Sequence, residues 1–226
     1  MTIEEQLERM RRDWDARARK NARHYVATGR TDWTDEAFLA SGEEEVAGDI
    51  LSDMQNICQG KDPREMRVLE IGCGAGRVTR ALAKIFGDVY AVDISAEMIA
   101  EAAKMLADVP NVHLYRNNGM DLAVLPPVEF DFAHSVIVFQ HIPSREIIEN
   151  YVREVHKRLR PGALFKFWVM GDPQARSTPE ETWVGVPITE ADGFEMAERC
   201  GFEQRYAHHA DAQSLILWFF KKASDR

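Results

Sequence analysis

No apolar run in the chain approaches the roughly 18 residues that a membrane-spanning helix needs. The most hydrophobic stretch, Ser-Leu-Ile-Leu-Trp-Phe-Phe at 214–220, has only strand length, so no membrane partner is expected. Cysteine is scarce: Cys58, Cys73 and Cys200 are odd in number, widely spaced and without a CxxC pair. That excludes a disulfide scaffold and points to reduced thiols in a cytoplasmic protein. The first 12 residues are charged throughout and lack the apolar core of a signal peptide. Basic charge is in deficit, with 28 Lys and Arg against 37 Asp and Glu and a net charge of −9. The surface as a whole therefore offers no electrostatic footprint for nucleic acid. Metal-ligand spacings such as HExxH are missing, and the adjacent His208 and His209 point to opposite faces of a strand, so no metal site is expected. There is also no internal repeat or low-complexity tract.

What is present organises itself around residues 68–77, Val-Leu-Glu-Ile-Gly-Cys-Gly-Ala-Gly-Arg. Val68, Leu69 and Ile71 suit a strand buried on both faces. Gly72, Gly74 and Gly76 then allow a tight turn and a close ligand approach. Val78, Ala81, Leu82 and Ile85 fall at i, i+3, i+4 and i+7, the spacing of one helix face. Downstream, the pattern predicts strands over 89–93, 111–115, 130–138 and 163–169, alternating with helices capped by Ser95 and Ser144. Such alternation implies a parallel sheet with right-handed crossovers. A helix over 189–200 leads into two last strands, 202–208 and 214–221, whose short connection requires an antiparallel pair. Upstream, apolar residues from Leu7 to Tyr25 recur at helical spacing, with a basic face read as solvated. Ser41 and Glu44 form a capping-box pattern for a second helix reaching Ile57. The 226 residues thus divide into an N-terminal helical lid, 1–45, and a Rossmann-like domain, 46–226. The fold class is α/β, a doubly wound mixed sheet of seven strands with the last one antiparallel.

A GxGxG turn alone does not identify its ligand, because dinucleotide enzymes seat a pyrophosphate on a similar turn. The dinucleotide pattern needs glycine at 77, where this chain has Arg77. Glu70, two residues before the first glycine, would repel a pyrophosphate but suits a ligand with an ammonium and a sulfonium. Asp93, ending the second strand, is placed to accept both hydroxyls of a ribose.

These motifs, followed by Asn118-Gly119, Phe130-Asp131 and Leu-Arg-Pro-Gly at 159–162, resemble the class I S-adenosylmethionine-dependent methyltransferases over about residues 68–171. The resemblance is to their small-molecule branch, and residues 14–29 and 139–143 also look like a bacterial subgroup of unknown substrate. It implies that Glu70, Gly72, Gly74 and Gly76 hold the methionine moiety and Asp93 the ribose. Ile94 and Met98 would flank the adenine, while Asn118, Gly119 and Met120 read its edge. Two departures are Ala163 for a second glycine after Gly162, and Asn118 where the family often has Asp. The Asn/Asp-Pro-Pro-aromatic motif of enzymes that methylate base amino groups is absent after the fourth strand. The expected partner is therefore a small-molecule acceptor, and the expected assembly a monomer or homodimer.

Methyl transfer from a sulfonium is an in-line displacement that needs alignment and dryness more than a metal. His141, just after the fourth strand, is the candidate general base, the alternative being a histidine that orders its loop. His24 and Tyr25 reach the same cleft only if the first helix folds over it; otherwise they pack or face solvent. Trp14 is read as core, and Asp131 as a brace of the fourth strand. Two rival functions are a non-catalytic S-adenosylmethionine-binding sensor or partner-activating subunit, and a nicotinamide-dependent oxidoreductase.

Overall fold

The structure, a computed structural model, describes residues 1–180 and 182–223. Among these, seven strands form one sheet: β1 (Arg67–Ile71), β2 (Asp88–Asp93), β3 (Val112–Arg116), β4 (Phe130–Ser135), β5 (Leu159–Met170), β6 (Phe202–His209) and β7 (Ser214–Lys221). Their spatial order is β3-β2-β1-β4-β5-β7-β6, so the chain reverses direction across the sheet between β1 and β4. Both β5 and β6 pair antiparallel with β7, and the other pairs are parallel. The reversal opens a crevice at the carboxyl ends of β1 and β4, where ligands of doubly wound sheets bind.

From Val68 to Ile71 strand β1 is buried on both faces, with Glu70 the one polar residue among Val68, Leu69 and Ile71. Leu69 and Ile71 join one core with Phe165 and Phe167 of β5 and with the apolar faces of α6 (Arg145–Arg158) and α7 (Glu190–Arg199). Val68 joins Phe132, Leu164 and Phe220 in a second core, beneath α2 (Asp35–Asp49), α3 (Met54–Cys58) and α4 (Arg77–Ala83). A third, smaller cluster packs α1 (Ile3–Val26) on Met98 of α5 (Ala96–Met105).

Three expectations need correction. Ser41 does not cap the second helix: Thr34 does, its hydroxyl accepting from the Ala37 amide at 3.2 Å. Asp35 and Glu36 then favour a helix start there, through their charge at its positive end. Ser41 lies mid-helix and donates to the Phe38 carbonyl, a local bond open to any helical serine. The helix stops at Asp49, short of the expected Ile57, which lies on the separate α3. Strand β4 ends at Ser135 and not at 138, because the backbone leaves the sheet at Ile137, whose φ is 54°. Strand β5 begins four residues early: Arg160-Pro161-Gly162 forms a bulge inside it and does not precede it. Asp131 fills that bulge, accepting from Lys61 Nζ, Arg160 Nε and the Arg67 amide, and so braces β4.

Candidate active site

The turn after β1 closes on β2, since the amides of Gly72 and Cys73 both donate to the Val92 carbonyl, at 2.8 and 3.1 Å. Gly72 and Gly74 have φ of 77° and 52°, in the left-handed region. A Cβ at Gly72 would stand 2.3 Å from Val138, and one at Gly74 2.7 Å from Val26. Glycine is thus required twice over, for backbone conformation and for the close packing of the cleft floor. Gly76 is the N-cap of α4. Arg77 is buried and donates to the Ser41 carbonyl at 2.9 Å, with Glu45 3.5 Å away, tying α2 to the turn.

The cleft beside this turn has about 900 Å³ of space counted to its mouth. Two carboxylates line it. Asp93 accepts from the Gly74 amide at 2.9 Å and the Ser95 amide at 2.8 Å. Burial nevertheless pushes its carboxyl up to about 6, and the charge of Asp15 adds to that. Asp15, on α1, accepts from the Ser95 hydroxyl at 2.6 Å, so the N-terminal helix is bonded to the residue that caps α5. Nothing in the spacing of α1 signalled this acid. Glu70 is 3% exposed, and its Oε2 has no partner among the described residues. Burial pushes the Glu70 carboxyl up, while the neighbouring Thr79 hydroxyl, and after it His134 and Arg77, act against it.

Ile94 and Met98 also line the cleft. Asn118 does not: it is exposed, and its Oδ1 accepts from the amides of Met120 and Asp121 within its own turn. Its neighbour Asn117 faces the cleft instead, donating to the Tyr151 hydroxyl at 2.7 Å with Oδ1 unpartnered among the described residues. Sequence reading missed Asn117 and Tyr151, since adjacent asparagines at a strand end carry no sign of which one turns inward. Gly119 packs between Ile94 and Leu7, and the Met120 carbonyl accepts from Asn150.

His141 is 7% exposed and lies on the turn after β4, with Nδ1 2.5 Å from the Trp183 carbonyl oxygen. Its ring lies 4.9 Å from that of Trp183, tilted by 35°, and meets Trp14 edge-on at 5.3 Å. Tyr25 closes the group against Trp183 at 5.9 Å. Trp14 and Tyr25 thus bring α1 over the cleft, whereas His24 bonds the Arg30 carbonyl and stays out. Arg17, expected on a solvated face, holds Thr182 through its carbonyl and hydroxyl, both at 3.0 Å. A second cavity of about 1190 Å³ opens beyond His141, lined by Gln140, Met170, Asp172 and Arg176. It shares Tyr25, Val26, Arg77, Ile137 and His141 with the first. Ile137, a β-branched residue with left-handed φ, stands at this junction, where strained backbone is often retained for function. Among the described residues, no helix is long and apolar enough to cross a membrane, and no group of three His, Cys, Asp or Glu could hold a metal ion.

Residues 68–162 match the model of a family described as a methyltransferase domain. The chain is 32% identical over 125 residues to a malonyl-[acyl-carrier protein] O-methyltransferase of Enterobacter lignolyticus, covering 54% of this chain and 46% of that protein. It is 27% identical over 178 residues to a sterol 24-C-methyltransferase of Clavispora lusitaniae, covering 71% of this chain and 46% of that protein. The chain therefore spans about half the length of the curated relatives it matches. The magnesium protoporphyrin IX methyltransferase of Synechocystis PCC 6803, solved with bound S-adenosylmethionine, superposes with a TM-score of 0.69 over 96% of this chain and 97% of that one, at 16% identity. Residues 68–162 thus resemble the methyltransferase-domain family, and the fold of the chain is that of the Synechocystis methyltransferase.

Proposed function

We propose that the protein transfers a methyl group from S-adenosylmethionine to a small-molecule acceptor. The observation that carries this reading is the pair of cleft carboxylates flanking the glycine turn, with Glu70 Oε2 buried and unpartnered among the described residues. A buried carboxylate oxygen without a donor is costly unless a ligand supplies one. Glu70 is placed for the donor's ammonium and Asp93 for its ribose hydroxyls. Ile94 and Met98 form an apolar wall for the adenine, and the Asn117 carbonyl oxygen is free to accept from its amino group.

When bound, S-adenosylmethionine supplies an electrophilic methyl on a sulfonium. The chain's own task is to align the acceptor and exclude water. Trp14, Tyr25 and Trp183 do both, closing the cleft with apolar area. The cavity beyond His141 is the acceptor's place, and a pure sensor would have no need of it. His141 stands between the two cavities and takes the acceptor's proton as general base, its ring oriented by the Trp183 carbonyl. A nicotinamide cofactor fits less well: its pyrophosphate would meet Glu70, and Arg77 is already engaged by Ser41 and Glu45.

Calorimetry tests the donor site. S-adenosylhomocysteine should bind, and Asp93→Ala should weaken it about 100-fold, ~2.7 kcal/mol. Absence of binding to either S-adenosylmethionine or S-adenosylhomocysteine would overturn the reading. Methyl transfer from labelled donor to a panel of small acceptors separates an enzyme from a sensor.

A further inference from the structure

The cavity beyond His141 has two unlike parts. Where it meets the donor cleft, Tyr25, Val26 and Ile137 line it together with His141, and the ring of Trp183 lies against that of His141. Apart from Tyr25, Arg77 and His141, its polar side chains belong to the part that the donor cleft does not share: Thr28, Gln140, Asp172, Arg176 and Gln213. A lining divided in this way suits a ligand with an apolar, flat body and one polar end.

Three residues of the lining carry a permanent charge, and two of them are engaged. Arg77 donates to the Ser41 carbonyl, and although its Nε is buried and unpartnered among the described residues, Glu45 and Glu70 of the donor side balance its charge. Asp172 accepts from the Gln174 amide at 2.8 Å. Arg176 makes no ion pair with Asp172, four residues before it, and no hydrogen bond among the described residues. In a chain of net charge −9, this leaves a guanidinium at a cavity with all its donors available. Its planar fork matches a carboxylate. Gln140, next to His141, has its Oε1 buried and unpartnered among the described residues. A wholly apolar acceptor would leave that oxygen without a donor, at a cost that a hydroxyl on the ligand removes.

We infer that the methyl acceptor is an aromatic hydroxy acid, bound with its ring against Tyr25 and Trp183, its hydroxyl toward His141 and its carboxylate on the Arg176 guanidinium. Arg176 is then the residue that selects the acceptor by charge. Asp172, on the same loop, tells against a second negative charge, so a monocarboxylate fits better than a diacid or a phosphate monoester. The inference deepens the acceptor reading above and rests on it.

The test uses pairs of probes that differ only in that charge: 4-hydroxybenzoate against 4-hydroxybenzamide, and 4-hydroxyphenylacetate against 4-hydroxyphenylacetamide. Each is titrated by calorimetry into protein saturated with S-adenosylhomocysteine. In at least one pair the acid should bind about tenfold more tightly than the amide. Arg176 is exposed, so its replacement leaves the core untouched. Arg176→Gln should weaken the acid about tenfold while holding the amide and S-adenosylhomocysteine within about twofold. Arg176→Lys, which keeps the charge and loses the fork, should fall between Arg176→Gln and wild type. Amides that bind as well as the acids, an acid preference that survives Arg176→Gln, or an equal loss for acid and amide overturns the inference. Protein that binds S-adenosylhomocysteine but neither acid keeps the donor reading and overturns this inference alone. If S-adenosylhomocysteine itself does not bind, the donor reading falls, and this inference with it.

Discussion

The two walls of the cleft are made from different material. On the β1–β2 side, the wall is backbone and carboxylate with some apolar area: the turn from Glu70 to Gly74, then Asp93, Ile94 and Met98, each supplied by one short piece of chain. On the opposite side, Trp14 and Tyr25 come from α1, His141 from the turn after β4, and Trp183 from the segment between β5 and α7. The first wall is set by local backbone geometry and strand pairing. The second exists only because α1 is latched, through Arg17 to Thr182 and through Asp15 to Ser95. Donor binding and acceptor handling should therefore respond to separate substitutions.

The sharpest separation is expected at His141, which borders both cavities. His141→Ala should lower kcat about 100-fold while changing the dissociation constant of S-adenosylhomocysteine by no more than about twofold. Equal losses in both would merge the two walls into one unit and remove His141 from the role of base. A smaller effect is expected at Trp183. Trp183→Ala should raise the acceptor KM about tenfold, the loss of one aromatic anchor, and leave donor affinity within about threefold. Weakened donor binding with an unchanged KM would reverse the assignment of the walls.

The smallest effect concerns stability. Burial lifts the Asp93 carboxyl from 3.8 to about 6 in the folded protein. Its ionised form therefore costs stability above about pH 6, and the cost is relieved as pH falls from there toward 3.8. Half-burial at the cleft wall limits this to about 1–3 kcal/mol. Between about pH 8 and about pH 5, the melting temperature of ligand-free wild type should rise by a few degrees relative to Asp93→Ala. A pH-independent difference would show that the donor wall carries no such strain.

Some of this arrangement could be read directly from the residues. Apolar Val68 to Ile71, three glycines at alternate positions and a helical repeat after them leave one local solution, and Asp93 ends its strand where a ribose would sit. Other features had no such signature. The Ser41 and Glu44 pair satisfies a capping pattern, yet Thr34, followed by the acids Asp35 and Glu36, caps the helix about two turns earlier. Asn117 and Asn118 differ by one position, yet one lines the cleft and the other caps its own turn. Ile137 was read as the continuation of a strand, because no side-chain pattern announces a left-handed β-branched residue.

By itself, then, the sequence determined the order of strands and helices, the glycine turn and the two acids beside it that line the cleft. Each follows from periodicity, backbone sterics or charge within a few residues. The tertiary structure alone decided that α1 covers the cleft, that Trp183 meets His141, and that Asp49 joins His134 and Lys166 beneath the donor site. These contacts unite residues far apart in the chain, and their partners are chosen by how sheet and helices pack.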